Sequence, residues 1–155
     1  MFTISEARET IQTFQELLDS TPREACHVRI SSDAWTLAEI VGHLIDSASN
    51  NHQRFTRLKF GDLDSFPGYD AEPWVSQQKY DNLDFEILSH LWSCYNMLLL
   101  HLADTTSNDV KRNTWRTPNG PQTLEFLIED YYKHLRLHIR HYQERLAEVR
   151  AYLGQ

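Results

Sequence analysis

Residues 36–54 read TLAEIVGHLIDSASNNHQR, and this stretch decides the fold. Thr36 followed three residues later by Glu39 is a capping box: the hydroxyl accepts from an N–H of the first turn while the carboxylate reaches back to the cap residue. Leu37, Ile40, Val41, Leu44 and Ile45 then recur at helical spacing, so the stretch predicts a helix that runs to about Lys59. At about 100° per residue, Asp46, Ser47, Asn50 and Arg54 all fall within about 60° of His43. The apolar flanks bracket this polar strip so closely that His43 belongs inside a helical bundle or at its lip.

Working outward, the segment from about Ser5 to Leu18 places Ile11, Phe14 and Leu17/Leu18 at three- and four-residue steps, with Ser5 as its cap. Residues 60–82 hold Gly61, Pro67, Gly68 and Pro73 among Tyr69 and Trp74, which predicts a packed aromatic loop without a regular element. Asp84 to Asp104 carries Phe85, Leu88, Trp92, Tyr95, Leu99 and Leu102 on one stripe, a core-facing helix. Residues 105–122 are rich in turn formers, with a short hairpin expected around Asn119-Gly120. Thr123 caps a last helix that runs to about Leu153. The expected architecture is all-α, a four-helix bundle with two long connections, formed by residues 1–155 as one domain.

The 155 residues include 22 Asp plus Glu against 15 Lys plus Arg, a net charge of −7. Such a surface repels phosphate backbones and anionic lipids, so neither nucleic acid nor membrane is an expected partner. No apolar run approaches the ~20 residues that span a bilayer, and Met1 to Glu6 lacks the basic and apolar segments of a signal peptide. A soluble, cytoplasmic protein is expected. Cys26 and Cys94 stand far apart and outside any Cys-x-x-Cys pair, which predicts two ordinary reduced thiols.

The last helix repeats the polar strip. Taking His134 as origin, Leu127, Tyr131, His138, His141 and Arg145 lie within about 60° of it. Imidazoles buried without partners cost roughly 1–3 kcal/mol each, and a shared metal ion satisfies several at once. His134 and His138, one turn apart, can both reach an ion at ~2.0–2.1 Å, and His43 from a facing helix completes a set of three. Leu135 stands where a His-Glu-x-x-His helix has its Glu, so this is not that zinc-protease motif. His27, His52, His90 and His101 show no such constellation.

Trp35-Thr36-Leu37 leading to His43-Leu44-Ile45-Asp46-Ser47, then Asn50 and Arg54-Phe55, resembles the second helix of DinB/YfiT-like proteins. Leu124-Glu125, Tyr131 and His134-x-x-x-His138-x-x-His141 resemble their fourth helix, and Tyr69-Asp70-Ala71-Glu72-Pro73-Trp74 is similar to a loop of the YfiT branch. The resemblance, spanning about residues 35–145, implies an up-down-down-up bundle and a divalent ion, zinc or nickel, on His43, His134 and His138. It leaves the reaction open, because members are described as metal-dependent hydrolases while relatives are thiol-dependent S-transferases or isomerases. Lys133, in place of an aromatic, and the apolar pair Leu135 and Leu137 depart from the pattern and put the pocket shape in doubt.

The expected chemistry is activation of water, for hydrolysis, or of a low-molecular-weight thiol cosubstrate, by an ion with three neutral ligands and one open position. Asp46, one turn after His43, is the candidate catalytic proton acceptor or orienting group, its alternative being a surface carboxylate. Asn50 and Arg54 are candidates to hold an anionic group of a small-molecule substrate; for Arg54 the alternative is an ion pair with Asp62 or Asp64. Trp74 and Tyr131 are candidate pocket walls or plain core, and His141 is a further substrate contact. Two rival readings are a non-catalytic module binding metal or a small molecule, and a helical homodimer whose histidines are merely hydrogen-bonded.

Overall fold

The computed structural model describes residues 2–155. Helix α1 (Ile4–Ser20) begins earlier than expected, and its cap is Thr3, not Ser5. The backbone of Thr3 is extended and its Oγ1 accepts from Glu6 N at 3.2 Å, so the Thr-x-x-Glu spacing that marks residue 36 also operates here. Helix α2 (Leu37–Leu58) opens with the expected box: Glu39 N donates to Thr36 Oγ1 at 3.2 Å and Thr36 N donates to Glu39 Oε2 at 2.9 Å.

The connection after α2 corrects the expectation of an irregular loop, because it contains helix α3 (Ala71–Gln78). Pro73 lies in its first turn, where a missing backbone N–H breaks no helical bond. Lys79, at φ 53°, ends it in the left-handed region. Helix α4 (Phe85–Asp104) follows, then strands β1 (Thr114–Thr117) and β2 (Gly120–Thr123), and finally α5 (Leu124–Tyr152), capped by Thr123 as expected. The hairpin forms with Thr117 opposite Gly120, so Pro118 and Asn119 are its turn residues and Gly120, at φ +111°, supplies the positive angle.

Side-chain contacts fix the helix directions. Phe2 stacks on Tyr132 while Thr21 bonds Tyr142, so α1 and α5 run parallel. Thr36 bonds Asp81, just before α4, and Lys59 reaches Leu102 O, so α2 and α4 run parallel as well. Gln15, late in α1, meets Ser89, early in α4, and Phe55, late in α2, meets Tyr131, early in α5. The result is an up-down-down-up bundle of α1, α2, α4 and α5, whose core is filled by Phe14, Leu18, Leu44, Trp92, Leu99, Tyr132 and their neighbours. No helix among the described residues is long and apolar enough to cross a membrane.

Because α2 and α4 are parallel, the chain between them must travel the length of the bundle. Leu63 N donates to Thr114 O at 2.9 Å, Arg116 N to Leu63 O at 3.0 Å and Trp115 Nε1 to Phe66 O at 3.1 Å, fastening this connection to the hairpin. Together they wall the polar strip of α2. At the other end Tyr80 lies against Gly42, where an added Cβ would sit 2.0 Å from the ring, so only glycine admits it.

Candidate metal centre

The two strips meet. His43 is 4 % exposed, and its ring centroid lies 5.4 Å from that of His134 and 4.4 Å from that of His138. One nitrogen from each of the three imidazoles lies within 4.8 Å of the other two. His43 Nε2 and His138 Nε2 are 3.2 Å apart. Two nitrogens sharing one ion at ~2.0–2.1 Å each, at a tetrahedral angle, stand about 3.3 Å apart, so the spacing fits a divalent ion.

Burial holds these imidazoles neutral. The ring of His43 is pushed down to about 4, by desolvation first and then by His134 and His141. His138 is pushed down to about 3, again by desolvation and then by its imidazole neighbours, and His134 shifts the same way. Lone pairs are therefore available at neutral pH, as metal ligation requires. Nδ1 of His43 and Nδ1 of His138 are buried with no hydrogen-bond partner, so the protein supplies no carboxylate or carbonyl to orient either ring.

Trp35 lies over the group, 5.1 Å from His43 and 6.5 Å from His141, and Arg145 holds it by donating from Nη1 to its carbonyl while Nε binds Glu148 at 2.7 Å. His141 stands 5.8 Å from His138, outside the group of three.

Asp46 is 2 % exposed, which removes the surface alternative. Its Oδ1 accepts from Tyr80 Oη at 2.5 Å and Gln78 Nε2 at 2.6 Å, while Oδ2 has no partner. Desolvation raises its carboxyl above the usual range, against the pull of these two donors. Asn50 donates to Asp46 O at 2.9 Å, back onto its own helix. Arg54 pairs with neither Asp62, which accepts from Thr114 N, nor Asp64, which binds Arg116; its guanidinium lies 4.4 Å over the Trp115 ring. Tyr131 is buried and its hydroxyl donates to Asn96 at 2.6 Å, so it offers a ring and no free hydroxyl. Trp74 is 39 % exposed and sits on Tyr69 at 5.0 Å, on the outer side of the wall.

Sequence reading missed the residues that support these groups. Tyr80, Gln78, Trp115 and Arg145 act across distant segments, and only Arg145 carried a signal, as a member of the strip on α5. Of the other histidines, His52 binds Tyr95 at 3.1 Å and His27 lies 3.5 Å from Asp81. Cys26 is buried and Cys94 exposed, both unpaired.

A family model described as the DinB superfamily matches residues 6–142. Among solved structures, the chain resembles YfiT from Bacillus subtilis, described as a probable metal-dependent hydrolase with an unusual four-helix bundle topology. The TM-score is 0.74 at 18 % sequence identity, covering 99 % of this chain and 91 % of that one. No curated protein matches the chain.

Proposed function

The chain belongs to the DinB superfamily, and from that premise we propose that it is a metal-dependent enzyme acting on a small molecule, with one divalent ion held by His43, His134 and His138. The observation that carries the reading is the convergence of three neutral imidazoles from α2 and α5, His43 buried and His134 and His138 half-buried, two of them with nitrogens 3.2 Å apart. An all-nitrogen donor set of this kind suits zinc or nickel. A divalent ion held by these three neutral ligands would supply Lewis acidity that lowers the pKa of a water or thiol nucleophile.

Hydrolysis is the leading reaction, supported by the description of YfiT; thiol S-transfer is its competitor. Asp46, with Oδ2 free and Oδ1 fixed by Tyr80 and Gln78, accepts the proton that the nucleophile releases. Trp35 and His141 shape the mouth above the triad, and Tyr131 forms part of the inner wall. The unpaired Cys26 and Cys94 suit a reducing, cytoplasmic setting.

Elemental analysis of protein purified without a His tag tests the reading. Near-stoichiometric metal is expected in the native chain, with at least a ten-fold loss in His43→Ala and in His134→Ala. Native protein that takes up no divalent ion would sink it. With metal present, ester and amide panels run with and without added thiol separate hydrolase from transferase, and metal without turnover identifies a binding module.

A further inference from the structure

Arg54 is the second buried anomaly of the α2 strip. It is 9 % exposed, and its Nε has no hydrogen-bond partner. It forms no ion pair: Asp62 accepts from Thr114 N at 2.7 Å, Asp64 binds Arg116 at 3.2 Å, and Asp46 accepts from Tyr80 and Gln78 on Oδ1 and has no partner on Oδ2. What the guanidinium has instead are ring faces, Trp115 at 4.4 Å and Tyr69 at 6.0 Å. Stacking orients a guanidinium and leaves its in-plane N–H groups unused.

The surroundings are built. Trp115 is held by its indole bond to Phe66 O at 3.1 Å and the Leu63 bridge on one side and by its pairing with Gln122 of β2 on the other, so the platform beneath Arg54 is fixed from two segments. Tyr69 is placed by its own contact with Trp74 at 5.0 Å, and burial keeps its phenol protonated and able to donate. A guanidinium stays charged even where burial disfavours the charge, so this is a persistent cation without a counter-ion.

We propose that Arg54, stacked on Trp115 beside Tyr69, is a binding site for a compact oxyanion, the carboxylate or phosphate group of a small-molecule ligand. The planar fork matches two oxygens of such a group, which a lysine at the same place would not. The assignment of that ligand as substrate rests on the metal-dependent reading above; the anion site itself does not. Arg54 lies eleven residues beyond His43 on the same strip, about 16 Å along the helix. The acid group it selects therefore binds on the same face of α2 as the triad.

The test is an NMR titration of metal-free and zinc-loaded protein, following Arg54 Nε–Hε and the Trp115 indole N–H. Acetate and inorganic phosphate are added separately, against chloride at matched ionic strength. A saturable shift at both reporters is expected with at least one oxyanion and not with chloride, in metal-free protein as well as loaded protein. Preference for acetate assigns a carboxylate, preference for phosphate a phosphate. In Arg54→Gln the Trp115 shift should vanish, and in Arg54→Lys the affinity should fall at least ten-fold. No saturable shift in the native protein, or a Trp115 shift that persists in Arg54→Gln, overturns the proposal. Because the native metal-free protein reports by itself, neither a poorly folded variant nor failure of metal binding obscures the answer.

Discussion

The seam between α1 and α4 and the seam between α2 and α5 are built on the same bundle geometry and filled in opposite ways. In the first, Phe14 meets Trp92 edge-on at 4.7 Å, with Ile11, Leu18 and Leu88 around them, all 3 % exposed or less. Its unmatched atoms there are neutral ones, such as the Trp92 indole N–H. In the second, two imidazole nitrogens, a carboxylate oxygen and a guanidinium nitrogen are buried without partners. Each neutral group of this kind costs roughly 1–3 kcal/mol, and a charged one more. The comparison teaches that apolar packing of one seam supports a polar burden on the other, which separates the residues that hold the fold from those proposed to bind metal and substrate.

The largest test of that division is Trp92→Ala, which should lower stability by about 3–5 kcal/mol, measured by denaturant unfolding. Metal bound per folded molecule should not change; if it falls with stability, the seams are not separable.

Gly42→Ala probes the junction between them. The new methyl group meets the Tyr80 ring, and the expected cost is about 1–3 kcal/mol. In a Tyr80→Ala background the same change should be neutral or stabilising, since the obstacle is gone and alanine is the better helix former. An equal cost in both backgrounds would show that the ring contact is not what requires glycine.

The smallest effect is on the pH dependence of metal-free protein. An unfolded imidazole takes up a proton near its ordinary value of 6.5, whereas His43 in the fold resists until about 4. Between those values the unfolded chain binds more protons, so stability falls as pH falls. From pH 7.5 to 5.5, His43 alone should lower it by on the order of 1 kcal/mol, measured by urea unfolding with a chelator present. A flat profile would mean that the α2–α5 seam is wetter than its burial indicates.

Much of this was legible in sequence wherever the signal was local. The Thr36/Glu39 box, the helical spacing on both sides of it, the hairpin and the facing strips with His43, His134 and His138 each depend on residues a few positions apart. The Thr3/Glu6 pair was equally local and still misread, because Ser5 offers a competing cap two residues away. Helix α3 was hidden by Pro73, which reads as a breaker unless the helix start is already known. The partners of the strip residues were not legible at all. Tyr80 against Gly42 and Trp115 beneath Arg54 join segments that only the folded connection brings together.

The parallel course of α2 and α4 has a kinetic consequence. The neighbouring pair at the heart of the bundle cannot zip up from a tight turn, because residues 59–84 must first be laid along its whole length. Contacts between these helices therefore join partners remote in sequence, and the search for them is slower than in a bundle of the same size whose adjacent helices are hairpins. The same detour carries α3 and the Leu63 bridge into place, so the wall around the polar strip is built from the very segment that joins the central pair.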